Sequence, residues 1–309
     1  MRSKIFKYFS AFSHAGLSST PPIQIAPVGY LEQVRSALAR TTFAYHPRTI
    51  DFDFTDLKRN DLRNLDLRSA SLPNSDLARV DLRNTRLSKS DLSNSDLSDA
   101  YLHGADLRWA KLVHCNLGRA NLNHSLLDGA KASYANLSNA GLMDASLLHV
   151  ALDNSDLRRA VLSDARLSWA NLSHAVATHA TLTGVILNNA TLKCANLRHV
   201  RLSNAILIQA DLTAADLSHA DLRNADLKGS ILVNSNLEGA DLSGALLSTA
   251  KINKHRISSR LKGVKWSSET EWPPGMKEWI VGVSTEVRPG VFKMGSAPPP
   301  EPDQRRRLA

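Results

Sequence analysis

The chain has 309 residues, of which 43% are hydrophobic but only 6% aromatic, so any core that it forms must be aliphatic. No apolar run approaches the ~18–20 residues of a membrane-spanning helix, and two cysteines cannot build a disulfide framework or a cysteine-rich metal site. The formal net charge of +9 would favour an anionic partner only if that charge lies on the folded part of the chain.

Residues 1–50 precede any repeat. Leu31, Val34 and Leu38 recur at helical spacing, which predicts a short helix that caps the fold behind it. The first 20 residues lack acidic side chains. They would carry a row of apolar ones on a helical face: Ile5, Tyr8, Phe9 and Phe12. We expect either a flap packed on the folded domain or a targeting segment that contacts a membrane surface.

Residues 51–257 repeat every five residues. Forty consecutive steps run from Leu57 to Ile252, and the central residue is Leu in 37 of them, with Ala at 132 and 177. A fairly small residue stands two positions earlier almost throughout, and Asp or Asn often stands one position earlier. Five residues turn an α-helix by ~500°, and an odd step sends successive strand side chains to opposite faces. Neither element would gather these Leu residues in one core.

A backbone that turns a right angle after every five residues does gather them. Four steps then close a square coil of 20 residues, with each Leu pointing to the axis and the small residue beside it. At the ~4.8 Å spacing of paired strands, forty steps make about ten coils and a rod of roughly 48 Å. The sequence therefore predicts an all-β fold, a four-sided parallel β-helix.

The repeat unit A(D/N)LXX, as in ADLRNADLKGS (220–230) and ANLSNAGLMDASL (135–147), resembles the pentapeptide-repeat family. The resemblance implies a right-handed quadrilateral β-helix with the Leu and the small residue inside. It also implies candidate partners, because some members bind DNA gyrase or topoisomerase IV and protect them from quinolones or other poisons. For some of those members the proposed mechanism is mimicry of duplex DNA by an acidic rod.

One face of the predicted rod is unusually apolar. Its steps are centred on Leu107 and on residues at intervals of 20, and we call it the apolar face. The outward residues that define it are Trp109, Leu126, Leu148, Trp169, Ile186, Ile206, Ile208 and Leu246. Contiguous exposed apolar patches mark contacts, so we predict a protein contact or a homodimer surface here. The alternative is that the N-terminal segment covers it.

A second face, predicted to be adjacent to the first, carries basic and imidazole side chains. We call it the histidine strip, and its residues are Arg158, Arg159, His179, Arg198, His199 and His219. The three histidines are 20 residues apart, which predicts a ladder with ~4.8 Å rungs. A strip that binds an anion or a partner, a metal site, and a solvated row without a role remain the alternatives.

The closing segment departs from the repeat after Ile257. We predict a cap at residues 258–285, where Trp266, Trp272 and Trp279 form the largest aromatic cluster of the chain. The WPPG turn at 272–275 resembles the segment that follows the last coil in many family members. The remaining stretch, 286–309, is rich in Pro and charge and predicts a disordered tail.

Charge and motif content bear on the function. Residues 55–250 hold 20 acidic and 20 basic side chains, so the rod is neutral and the excess charge lies at the ends. Duplex DNA carries one charge per ~1.7 Å of axis, so a neutral rod argues against DNA mimicry and against direct nucleic-acid binding. The sequence lacks nucleophile–base pairs and phosphate loops. We expect a soluble cytoplasmic scaffold, not an enzyme, that binds a protein and needs no cofactor; topoisomerase protection is the alternative.

Overall fold

The computed structural model describes residues 61–252 and 260–295. From 61 to 252 the chain forms a four-sided parallel β-helix, which confirms the predicted architecture. The residue before each central Leu forms a parallel bridge with the residue 20 positions later, from Asp61↔Asp81 to Ile231↔Lys251. The central Leu donates its N–H to the next coil, as Leu102 N does to Asn121 O at 2.7 Å.

We number the sides in chain order, so that Leu62, Leu67, Leu72 and Leu77 begin sides one to four. Within a step, the leading residue precedes the central Leu, the trailing residue follows it, and the corner residue comes two positions after it. Side two is the apolar face and side four carries the histidine strip. Because these sides are two steps apart in a four-step coil, they lie on opposite faces, and the prediction that they are adjacent is wrong.

Each side ends in a tight turn. The central Leu carbonyl accepts a hydrogen bond from the residue three positions on, as Leu67 O does from Ala70 N at 3.1 Å. The corner residue of every step from Asn64 to Gly244 has a positive φ, and 31 of these 37 residues are not glycine. None of the 31 is β-branched, and 20 are Asn, Asp or His, the residues that tolerate this region best. The backbone thus explains why histidine is frequent at this position.

The interior consists of the central Leu residues and the small residue two positions before each. The central Leu side chains from 62 to 247 are at most 3% exposed. Burying one stabilises the fold by ~1.5–3 kcal/mol, so this column is the main source of stability. At most positions where the small residue is polar, its hydroxyl donates to a backbone carbonyl, as Ser90 Oγ does to Leu87 O at 2.7 Å and Ser95 Oγ to Leu72 O at 2.6 Å. The buried Ser230 Oγ is an exception, with no partner among the described residues.

The leading Asp residues hold the turns rather than projecting freely. In the run from 211 to 226, each Asp Oδ1 accepts the backbone N–H two residues on, at 3.0–3.2 Å. Where Arg is the trailing residue, it also pairs with the Asp, as Arg108 does with Asp106 at 2.8 Å. The hydrogen bond from the Arg108 side chain is the main reason why the pKa of Asp106 lies below its usual value.

From residue 260 onward, a partial coil closes the solenoid. Leu261, Trp266 and Trp272 are buried at central positions on sides four, one and two. Ladder hydrogen bonds from the preceding coil show this, including Leu242 N to Lys265 O at 2.8 Å and Leu247 N to Glu271 O at 2.7 Å. The prediction that the repeat stops after Ile257 is therefore wrong, because the ladder resumes with Trp in place of Leu.

A small antiparallel sheet and one short helix cover this coil. The elements are β1 (Lys265–Ser267), α1 (Lys277–Gly282), β2 (Ser284–Arg288) and β3 (Val291–Met294). The sheet order is β1-β3-β2. Trp266 stacks on Phe292 of β3 with ring centroids 4.5 Å apart, and it donates its Nε1–H to Ser284 Oγ at 3.0 Å.

This sheet corrects the predicted tail, because β2 and β3 occupy much of 286–295, where disorder was expected. The predicted N-terminal flap and capping helix (1–50), the first repeats (51–60), Ile257 and the stretch 296–309 lie outside the described residues. In the described ranges, no helix has the length and apolarity to cross a membrane.

Candidate protein-contact surface

The apolar face has its densest part in the middle of side two. Ile186 and Ile206 are leading residues of successive coils joined by a parallel bridge, and Ile208 trails in the second of these coils. All three are half-buried, since each is flanked by its neighbours above and below. They form one small apolar patch that faces outward.

The other predicted residues of this face lie around the patch. Leu126, a leading residue, is 37% exposed. Leu148, a trailing residue, and Leu246, a leading one, are half-buried. Polar leading residues interrupt the row between them, namely Ser146, Arg166 and Asp226. The structure thus groups the three isoleucines and separates the leucines from them.

The two tryptophans form a ridge along the corner between sides two and three. Trp109 is 61% exposed and Trp169 58% exposed. Trp109 lies against Gly129 of the next coil, where an added Cβ would collide with the indole ring. Trp169 stacks on His149 with an interplanar angle of 11° and ring centroids 6.2 Å apart. Gly129 and His149 are therefore part of the ridge, and counting at intervals of 20 from Trp109 could have found them.

The histidine strip forms the predicted ladder. The rings of His179 and His199 stack with centroids 4.8 Å apart, and those of His199 and His219 with centroids 5.0 Å apart, at interplanar angles of 1° and 9°. The column ends at Gly239, whose missing side chain leaves room for the His219 ring. The role of the ladder stays a prediction.

The arginines of the strip differ in their partners. Arg158 pairs with Asp156 at 2.5 Å, and Arg198 approaches Asp216 at 3.4 Å. In the part of the chain that the structure describes, Arg159 has no carboxylate within ion-pairing distance. The structure therefore leaves only part of the predicted positive charge unpaired.

The ladder geometry does not suit a metal ion. A metal ion is bound through the nitrogen lone pair, which lies in the plane of the imidazole ring, whereas successive rings of the ladder are stacked face to face. No group of three potential metal ligands occurs among residues 61–252 and 260–295. Desolvation lowers the pKa of His199, and the neighbouring His179 and His219 lower it further, so stacking favours the neutral ring.

Comparisons with known proteins agree with the repeat. A family model described as pentapeptide repeats matches in 8 copies over residues 75–119, 105–142, 142–176, 170–209 and 210–248. No protein of curated function matches the chain.

Several solved structures are similar. HetL, a pentapeptide repeat protein involved in heterocyst differentiation regulation from the cyanobacterium Nostoc sp. Strain PCC 7120, is 30% identical over 72% of this chain and 98% of its own, with a TM-score of 0.43. QnrB1, a plasmid-mediated fluoroquinolone resistance protein, is 19% identical over 67% and 96%, with a TM-score of 0.29. A pentapeptide repeat protein from the Arabidopsis thaliana thylakoid lumen is 23% identical over 36% and 76%, with a TM-score of 0.26.

Proposed function

The chain belongs to the pentapeptide-repeat family, whose members form right-handed quadrilateral β-helices, and we propose that it acts as a non-catalytic scaffold that binds a protein through side two. The observation that carries the proposal is the patch of Ile186, Ile206 and Ile208 beside the exposed Trp169. Aromatic side chains are enriched in protein interfaces, and charged residues are depleted at their centres.

The pairing of charge on the rod supports the same conclusion. Six Asp-Leu-Arg triplets bind their own Arg to their own Asp. Such pairs are satisfied within one side and offer little to a partner. Within residues 61–252 and 260–295 the isoleucine patch has no comparable partner, so covering it with another protein surface would remove apolar area from water.

Site-specific photo-cross-linking in the native cells tests the proposal. A photoreactive residue replaces Ile208 on side two, and the control replaces Val233, a half-buried trailing residue on side three. We expect a covalent protein adduct from position 208 and none from position 233. Equal adducts from both positions, or none from position 208, would contradict a contact through side two.

Topoisomerase protection remains the alternative, and the charge distribution gives it no support. A DNA mimic of about 48 Å would need on the order of 28 negative charges, whereas the rod is neutral and many of its carboxylates are paired. We therefore expect no effect on gyrase supercoiling, with or without a quinolone, when the purified chain is titrated to excess at two salt concentrations. Rescue of supercoiling by the chain would reverse this conclusion.

A further inference from the structure

The leading residues of side two have an ordered sequence of chemistry. Arg166, Ile186, Ile206 and Asp226 follow one another in successive coils, joined by parallel bridges. Along the rod the column therefore reads positive, apolar, apolar, negative. Reversing the order and exchanging the signs gives the same pattern, which is the condition for a surface to be complementary to a second copy of itself.

We propose that side two binds side two of a second copy of the chain, with the two rods antiparallel; this rests on the proposed function and names its partner. A symmetric dimer uses the same patch on both subunits. A two-fold axis between the faces and perpendicular to the rods keeps each column opposite itself and reverses its direction. With the axis midway between the coils of Ile186 and Ile206, Ile186 faces Ile206 of the second copy and Arg166 faces its Asp226.

The corner column of side two fits the same register. The axis that places Arg166 opposite Asp226 also places Trp169 opposite Gly229. Trp169 projects from the face, being 58% exposed, whereas Gly229 has no side chain. The Trp169 ring therefore faces the Gly229 backbone and the Gln209 side chain that lies against it, and it does so twice because of the symmetry.

The charges at both ends of the pattern are available for pairing. Arg166 lies between Ser146 and Ile186, and in residues 61–252 and 260–295 no carboxylate comes within ion-pairing distance of it. Asp226 uses Oδ1 to accept the Lys228 backbone N–H at 3.1 Å, while its Oδ2 is 3.8 Å from Lys228 Nζ. One carboxylate oxygen can therefore accept a closer bond from the Arg166 of a second copy.

The opposite side lacks this complementarity. On side four the leading residues at similar height are Asp156, Val176, Asn196 and Asp216. The same symmetry would place Asp156 against Asp216, so two carboxylates would face each other, and like charges across an interface disfavour association. Side two is thus selected over side four by charge as well as by apolarity.

Sedimentation equilibrium of the full chain, to about 100 µM, tests the proposal because it measures micromolar dissociation constants. We expect a dimer for the wild type. Arg166→Asp and Asp226→Arg should each weaken the dimer about tenfold or more, because each places like charges together. The double variant R166D/D226R should restore the wild-type constant. Lys131→Asp, a charge reversal at a leading position of side three, is the matched control and should change nothing.

Three results would overturn the proposal: a monomeric wild type, a dimer insensitive to both single reversals, or a double variant as weak as the singles. Thermal unfolding of each variant shows whether it is folded. A monomer that becomes dimeric after deletion of residues 1–30 would identify the N-terminal segment as the occupant instead. A monomer that still gives a photo-adduct to another protein from position 208 would end this proposal and leave the proposed function standing.

Discussion

The coils at 61–252 and the closing segment at 260–295 use the same ladder of hydrogen bonds but different side chains. In the coils, the interior is a column of Leu and small residues. In the closing segment, the ladder continues through Leu261, Trp266 and Trp272, and these residues pack against Met276, Ile280 and Met294. The hydrogen-bond ladder is thus the same in both regions, whereas the interior residues are larger in the closing segment.

The larger interior residues of the closing segment compensate for the absence of a covering coil. Each central Leu inside the rod is covered by the central Leu of the next coil. One Leu and one small side chain per step are therefore sufficient to fill the interior. In the described part of the chain, the last coil has no further coil beneath it and must bury its interior with fewer neighbours. An aromatic side chain buries ~150–250 Å², which allows two tryptophans and a small sheet to do what a full coil does elsewhere.

The closing segment should be most sensitive at Trp266. Trp266→Ala removes a buried ring that stacks on Phe292 and bonds Ser284, and we expect a loss of ~3–5 kcal/mol in the free energy of unfolding. Trp109→Ala, at an exposed ring, should cost less than ~0.5 kcal/mol. Urea denaturation measures both, and similar losses for the two variants would mean that Trp266 does not close the core.

Within the coils, the central column should dominate the outward positions. Leu142→Ala should lower the free energy of unfolding by ~2–5 kcal/mol, since Leu142 is fully buried. Its neighbour Met143 is 41% exposed, and Met143→Ala should stay within about 0.5 kcal/mol of the wild type. The same denaturation experiment compares them; a costly Met143→Ala would show that the outward surface also carries stability.

The corner positions offer a test of backbone conformation alone. Asn139 is exposed and has a φ of 58°. Asn139→Val should cost ~1–2 kcal/mol because left-handed backbone is strained for residues with a Cβ and more so for branched ones. Asn139→Gly should cost much less. If calorimetry showed Val and Gly to be equally tolerated, the absence of β-branched residues at the positive-φ corners from 64 to 244 would need another cause.

Acid should weaken the coils through their Asp–Arg pairs. The pKa values of Asp66, Asp81, Asp106 and Asp221 are lowered mainly by hydrogen bonds from Arg. Because the folded pKa lies below the unfolded one, this stabilisation is complete above the ordinary carboxyl pKa and is lost as the pH falls below about 4. We expect a melting temperature that is level from pH 7 to 5 and then falls, with a smaller fall for Asp106→Asn. A fall already at pH 6 would point to the histidines instead.

Much of this fold could be predicted because the sequence itself is periodic. The step of five and the Leu column lead to a square coil without further knowledge. The closing coil was missed because Trp266 and Trp272 are six residues apart, one more than the repeat. Strands β2 and β3 were missed because their stabilising contact, Trp266 on Phe292, joins residues distant in the sequence.

The surface was predicted less well than the core. Counting in steps of 20 placed the histidine ladder and the isoleucine patch, but the relation of sides two and four was misjudged. The frequent histidines are explained by positive φ at the corners, a conformational cause that composition does not reveal. Arg166 and Asp226 were passed over since each is an ordinary charged residue until its column is read across four coils.

Because the ladder hydrogen bonds join only neighbouring coils, the length of the rod can change by whole coils. Between residues 61 and 252, each coil bonds only the coil before it and the one after it, at separations of 19 to 21 residues. Excising residues 121–140 would therefore join Ala120 to Gly141 in unchanged register and shorten the rod by ~4.8 Å. The distance between Trp109 and Trp169 would drop from three coils to two. Insertion or deletion of whole 20-residue coils can therefore change the distance between two surface residues in steps of one coil, without changing the interior of the remaining coils.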